Sequence, residues 1–271
     1  MCRARRSRRC IPARSCRDHD AVVAGANQSL KIRTPGNDQT SQVFKTCEVS
    51  ESGVTMKTIA PLQPGHYYHI YNRGNNREDL FREERNYRYF LQLYARHVLP
   101  IAITFVYCLM RNHFHFLVRI REALQQTSQV SETCEVSTLG EVSTPGEVLT
   151  PRQVSQHFSN FFNAYTKAMN KAYGRTGSLF EERFGRIEVT TDAYFTNLVF
   201  YIHFNPQKHG FVDDFRDWPW SSYHALQAAG DTKLNRAEVL DWFGGKTQFE
   251  EFHRGMVDDK AVAALIDEDL V

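Results

Sequence analysis

The chain has 271 residues, 42% of them hydrophobic, 13% aromatic and 24% charged, which is material for one full core and a small appendage. No apolar run approaches the roughly 18 residues of a helical membrane span, and Met1-Cys-Arg-Ala-Arg-Arg6 is not an apolar signal stretch. These features, with five of six cysteines in low-complexity or tail sequence and only Cys108 in a strand-like run, suit a soluble, unexported, cytoplasmic protein with no membrane partner.

In chain order, residues 1–60 form a tail rich in Arg, Ser, Thr, Gly and Asn without apolar periodicity, expected to be disordered. A translation start at Met56 explains the composition break as well as a basic arm does. His66-Tyr-Tyr-His-Ile-Tyr71 reads as a strand ending in the turn signal Asn72-Arg-Gly-Asn-Asn76. Tyr87, Phe90, Leu91, Tyr94 and Val98 recur at helical spacing within 83–98. Ile101–Leu109 and His113–Ile120 read as two strands joined by Met110-Arg-Asn112. An insert at 122–151 repeats a Glu-Val unit every six residues, a period that suits a tolerant surface loop better than any solenoid.

Beyond the insert, Val154–Tyr173 is expected to be a helix ended by Gly174, Ser178–Val189 to contain a strand, and Asp192–Asn205 to be a final helix stopped by Pro206. The order predicts an α+β fold: a ferredoxin-like antiparallel sheet with helices on one face. The core domain spans 61–229, and 230–271 is an acidic, helical C-terminal extension.

Charge is segregated along the chain. Residues 1–17 hold seven arginines and no acid, 61–121 is net +5 and 152–187 net +4, whereas 122–151 is −5 and 211–271 is −7. Two basic segments inside an otherwise acidic body point to a polyanion, with nucleic acid the obvious candidate.

The chemistry centres on His113-Phe-His-Phe-Leu-Val118. On a strand, alternate residues share a face, so His113 and His115 project together while Phe114, Phe116 and Val118 pack on the other side. Two convergent imidazoles can chelate one metal ion, although a pair of ordinary surface histidines is the commoner fate of such a pattern. Leu117 stands where a binuclear HxHxDH hydrolase needs Asp, and neither CxxC nor HxxxH partners for a zinc finger are present. On the last helix Tyr194, Asn197, Tyr201 and Asn205 form a polar stripe opposite Phe195, Leu198, Val199 and Ile202. Tyr201 and Asn205 lie one turn apart, with Asn205 at the cation-favouring C-terminal end.

Five stretches in unbroken order resemble the single-tyrosine HUH transposases, in their REP-associated tyrosine transposase branch. They are His66-Tyr-Tyr-His-Ile-Tyr-Asn-Arg-Gly-Asn-Asn76, Met110-Arg-Asn-His-Phe-His-Phe-Leu-Val118, Tyr173-Gly-Arg-Thr-Gly-Ser-Leu-Phe180, Tyr201-Ile-His-Phe-Asn-Pro206 with Lys208-His-Gly210, and Trp218-Pro-Trp-Ser-Ser-Tyr223. Arg111 departs from the proline expected in many relatives. The resemblance implies an HUH endonuclease fold in which His113, His115 and Asn205 hold a divalent Mg or Mn ion and Tyr201 is the nucleophile. It implies nicking and joining of single-stranded or hairpin DNA through a 5′-phosphotyrosine. A tyrosine hydroxyl, with an ordinary pKa near 10, needs help to shed its proton. Candidate DNA contacts are Arg73, Arg77, Arg111, Arg119, Arg175, Arg183 and Arg186, with Tyr71 and Phe180 as stacking surfaces. A hairpin-binding regulator that no longer cuts is the alternative, and the subunit number is left open, a homodimer included.

Overall fold

The computed structural model describes residues 60–125, 146–181 and 183–255. The expectations for the tail up to residue 59, for most of the Glu-Val insert and for 256–271 of the C-terminal extension fall outside them. Four strands form one antiparallel sheet, β1 (Tyr67–Arg73), β2 (Ala102–Leu109), β3 (His113–Ile120) and β4 (Gly185–Glu188), in the order β2-β3-β1-β4. With α1 (Glu84–His97) between β1 and β2, and α2 (Pro151–Tyr173) between β3 and β4, this is the βαββαβ ferredoxin-like arrangement.

The helices begin and end where local chemistry directs. Glu83 and Asn86 form a reciprocal cap on α1, and Thr150 and Gln153 do the same for α2, whose first position is Pro151. Gly174 ends α2 in the left-handed region at φ 61°, a conformation that a Cβ disfavours.

Alternation along the strands sorts the sheet into two buried faces. Tyr68 and Ile70 of β1 and Phe114, Phe116 and Val118 of β3 pack with Phe90 and Tyr94 of α1 and Phe158, Phe161 and Tyr165 of α2. The two crossover helices therefore share a face, but the expectation of all helices on one face does not hold for α3, because β3 and β1 present apolar residues on both sides of the sheet. The other face is covered by α3 (Asp192–Lys208), whose Phe195, Leu198, Val199 and Ile202 meet Val106, Cys108 and Leu117.

Two details correct the sequence reading. Helix α3 runs through Pro206 to Lys208, because a proline in the last turn forfeits one backbone bond while the His209 N–H still donates to the Asn205 carbonyl at 3.0 Å. Nor does the chain pass from α3 straight to the helical extension read over 230–271: α4 (Tyr223–Gln227) precedes it, α5 (Arg236–Trp242) and α6 (Lys246–Gly255) lie inside it, and Val239, Trp242, Phe243 and Phe249 complete the second core.

The Trp218–Tyr223 segment closes the sheet edge at β2. Ser222 N–H donates to the Tyr107 carbonyl, Leu109 N–H to the Trp220 carbonyl and Trp218 Nε1–H to the Leu109 carbonyl, each at 2.9 Å. Pairing of this kind removes an open template for aggregation.

Behind that edge runs a buried polar chain. His253 Nδ1–H donates to the Phe249 carbonyl at 2.8 Å, so a neutral His253 accepts at Nε2 from His203 Nδ1–H at 3.0 Å. His203 Nε2 then accepts from the Ser222 hydroxyl at 2.8 Å, whose oxygen takes the Tyr107 N–H at 2.9 Å. Every donor has one acceptor only while both rings are neutral, and burial holds His253 down at about 4 and His203 well below the usual imidazole range.

Because these folded-state values lie below the unfolded value of about 6.5, stability is complete above that pH and is lost as pH falls toward about 4, by up to about 1.4 kcal/mol per pH unit for each histidine. Urea unfolding should show a lower midpoint at pH 5 than at pH 7; an unchanged or higher midpoint contradicts this. Ser222→Ala, which strands both neighbours, should cost about 1–3 kcal/mol at pH 7.

Candidate active site

The β1–β3 register assembles the site. Antiparallel pairing sets Arg73 opposite His113 and Tyr71 opposite His115, with His69 opposite Leu117, so His69, Tyr71, Arg73, His113 and His115 occupy the sheet face that α3 covers. Gly185 of β4 lies opposite Tyr71, and a Cβ there would fall 2.2–2.5 Å from the phenol ring atoms. Only glycine lets Tyr71 lie in this place, stacked on His115 at 5.9 Å and tilted against His69 at 5.0 Å between ring centres.

Helix α3 brings the second half. Tyr201 is buried, its ring edge-on to His115 at 5.7 Å and to His69 at 6.3 Å. Asn205, one turn on, is also buried; its amide donates from Nδ2 to the Tyr201 carbonyl at 3.2 Å, which leaves Oδ1 for the site. Lys208 continues the stripe, with its ammonium 4.9 Å from the centre of the Tyr201 ring. His209 packs edge-on to His113 at 4.8 Å.

His113, Phe114, His115, Lys208 and His209 line a cavity of about 220 Å³ with Tyr71, Asn72, Arg73, Arg77 and Asn112, while Tyr201, Asn205 and His69 lie outside its lining. The approach to it is shaped by Gly74, where a Cβ would meet the Glu78 carbonyl oxygen at 1.9 Å, and by Asn76 and Arg77 at φ 54° and 61°. Non-glycine residues held in that region store strain, and such strain clusters at functional sites.

Among the described residues, two buried polar atoms here lack a hydrogen bond of ordinary geometry, His115 Nε2 and Asn205 Oδ1, although Asn205 lies close enough to His113 to favour its charged form. His113 donates from Nδ1 to Asn112 Oδ1 at 2.7 Å, which in a neutral ring leaves the Nε2 lone pair available. Burial, followed by the neighbouring His209, lowers His113 to about 3, while Asn205 acts in the opposite sense; burial and then His69 hold His115 well below the usual range. Neutral imidazoles and an amide oxygen are the donor set of a divalent ion, and leaving such atoms buried without a partner is otherwise costly. The residues fit a metal. No group of three or more His, Cys, Asp and Glu side chains placed to hold a metal occurs among the described residues.

The other expected contacts are dispersed. Arg73 and Arg77 line the cavity. Arg111 is paired with Asp79 at 2.6 Å in the β2–β3 turn. Arg119 shares the face of His113 but lies six residues along the strand, about 20 Å away, against the Tyr67 hydroxyl at 3.2 Å and Glu238 at 3.8 Å. Arg175 is bound to Glu78. Arg186 faces the opposite side of the sheet, opposite Ile70 and over the Phe184 ring, and Arg183 is exposed next to β4.

Phe180 is core, packed with Phe114, Phe162 and Tyr165, so it offers no stacking surface. Tyr165 likewise belongs to the far core, where its hydroxyl donates to the Leu80 carbonyl at 2.7 Å. Five residues of the site, His69, Asn72, Asn112, Lys208 and His209, carry no assignment from sequence, although all sit inside or beside the quoted motifs.

No family model matches the sequence. Over 55 residues it is 36% identical to a candidate REP-associated tyrosine transposase of Haemophilus influenzae, covering 20% of this chain and 31% of that protein. Over 97 residues it is 30% identical to the REP-associated tyrosine transposase of Escherichia coli K12, covering 36% of this chain and 54% of that protein. The chain thus spans about a third and about half of the lengths of these curated relatives. A solved structure described as a REP-associated tyrosine transposase bound to a REP hairpin aligns with a TM-score of 0.42 at 18% identity, over 66% of this chain and 93% of that one. By its curated relatives, the chain is similar to the REP-associated tyrosine transposases, the branch that its motifs resemble.

Proposed function

We propose that the protein nicks and rejoins single-stranded DNA at hairpin-marked sites, with Tyr201 as the nucleophile and a 5′-phosphotyrosine as the intermediate. The observation that carries this reading is the pair of orphaned polar atoms, His115 Nε2 and Asn205 Oδ1, buried beside Tyr201 and next to a cationic cavity. A magnesium or manganese ion, held by His113, His115 and Asn205, would polarise the scissile phosphate and offset charge on its oxygens.

The chain's own groups do the rest. Arg73, Arg77 and Lys208 present positive charge to the phosphates from the cavity wall. The ring of Tyr201 is fixed by packing against His69 and His115, which limits its motion. The Tyr201 oxygen bonds to phosphorus as the bond to the 3′ oxygen breaks, and the net proton movement is from the phenol to that oxygen. The free 3′-hydroxyl and the phosphotyrosine conserve the diester energy, so rejoining is the reverse attack. A cavity of about 220 Å³ admits an unpaired strand rather than a duplex.

Incubating a labelled single-stranded hairpin with the full chain and Mn²⁺ should give a covalent adduct on the 5′ end of the fragment downstream of the nick. Tyr201→Phe should abolish it, since the ring stays and the oxygen goes. An adduct that survives in Tyr201→Phe, or a peptide map placing it on Tyr194 or Tyr165, contradicts the assignment. Hairpin binding by the wild type without any adduct would mark a non-cleaving regulator instead.

The arginines divide by place. Arg73→Ala and Arg77→Ala should weaken hairpin binding and each lower the slope of log affinity against log salt by about 0.7. Arg119→Ala should leave affinity unchanged, because its partners are Tyr67 and Glu238; filter binding across a salt series separates the two outcomes.

A further inference from the structure

We infer that His69 is a positioning residue for His115: it accepts the Nδ1–H of that imidazole and so fixes the tautomer whose Nε2 lone pair faces the site. The two rings are 46 residues apart in sequence and meet diagonally across β1 and β3, His115 lying opposite Tyr71 and His69 opposite Leu117. His69 Nε2 and His115 Nδ1 are 2.8 Å apart, the rings are stacked at 5.0 Å with 22° between planes, and both residues are buried, 2% and 3% exposed. Tyr71 packs on both.

Each neutral ring carries one proton and only one proton can lie in the Nε2···Nδ1 contact, so only two arrangements exist. If His69 donates, His115 carries its proton on Nε2, and that buried N–H points at no acceptor among the described residues. If His115 donates from Nδ1, its Nε2 is a bare lone pair on the ring that packs edge-on to His113, and the Nδ1–H that His69 then carries is not among the buried atoms left without a partner. The second arrangement is the one that burial favours, because an unmet N–H forfeits its hydrogen bond to water.

Metal-binding histidines are commonly held by a carboxylate, a backbone carbonyl or water at the second ring nitrogen. A neutral imidazole orients the ring equally well and adds no negative charge beside a scissile phosphate. The purpose given to this lock rests on the metal reading of the site; the lock itself rests on the hydrogen-bond geometry.

The test uses full-length protein with ¹⁵N-labelled histidine, free of metal, at neutral pH. Long-range ¹⁵N–¹H NMR should show His115 protonated at Nδ1 and bare at Nε2. His69→Gln, whose Oε1 accepts the same proton, should keep that tautomer, and His69→Leu should lose it. Mn²⁺ binding read by electron paramagnetic resonance should weaken about 10–100-fold in His69→Leu and stay within a few-fold of wild type in His69→Gln. A wild-type His115 protonated at Nε2 overturns the inference, as does a His69→Leu protein with the wild-type tautomer and affinity. Should His69→Leu not fold, the wild-type spectrum and the His69→Gln affinity still decide. A wild type with the expected tautomer but no Mn²⁺ binding upholds the lock and removes the metal reading instead.

Discussion

Strand β3 is buried on both faces with opposite chemistry on each, and the rest of the molecule is arranged around that constraint. Phe114, Phe116 and Val118 fill a core of aromatic rings beneath α1 and α2, while His113, His115 and Leu117 turn toward α3. Because the side-chain period of a strand is two, a one-residue slip would drive the imidazoles into the aromatic core and the phenylalanines into the site. The aromatic packing that stabilises one face therefore fixes the register of the chemical groups on the other.

Burial then sets the character of the site. Taking His69, His113 and His115 out of water disfavours their charged forms, holding His69 and His113 to about 3 and His115 well below the ordinary range. The outcome is a neutral, lone-pair-rich cluster ringed by the cations Arg73, Arg77 and Lys208. Such an arrangement is poor as a general acid but suited to holding a cation next to an anionic strand. The same logic, applied without a ligand, governs the His203–His253–Ser222 chain, where every hydrogen bond is internal and the groups serve to dock α6 and the Trp218–Tyr223 segment onto α3.

Much of this was legible in local pattern. The Phe alternation around His113 and His115, the helical spacing of Phe90 and Tyr94, and the Gly174 stop all depend on neighbours close in sequence, and the strands and helices follow them. What local pattern hid was pairing across the chain. Arg119 looks like a DNA contact until Glu238 and Tyr67 are placed beside it, and Arg175 until Glu78 is. Phe180 looks like a stacking ring until the far core closes over it. His69 went unassigned because its value comes from the β1–β3 register, which no local periodicity reports. The helix end at Pro206 was misplaced since a proline's cost depends on how near the terminus it falls, and the C-cap at His209 lies beyond it.

The proposed nicking chemistry requires His113, His115 and Asn205 to hold one divalent ion next to Tyr201. Diffraction from crystals of the full chain soaked in Mn²⁺, collected for its anomalous signal, tests this most directly. A single strong peak within direct coordination distance of His113 Nε2, His115 Nε2 and Asn205 Oδ1 is the result expected. A peak held by other groups, or His115 Nε2 and Asn205 Oδ1 bridged by a water with Mn²⁺ in excess, would contradict it.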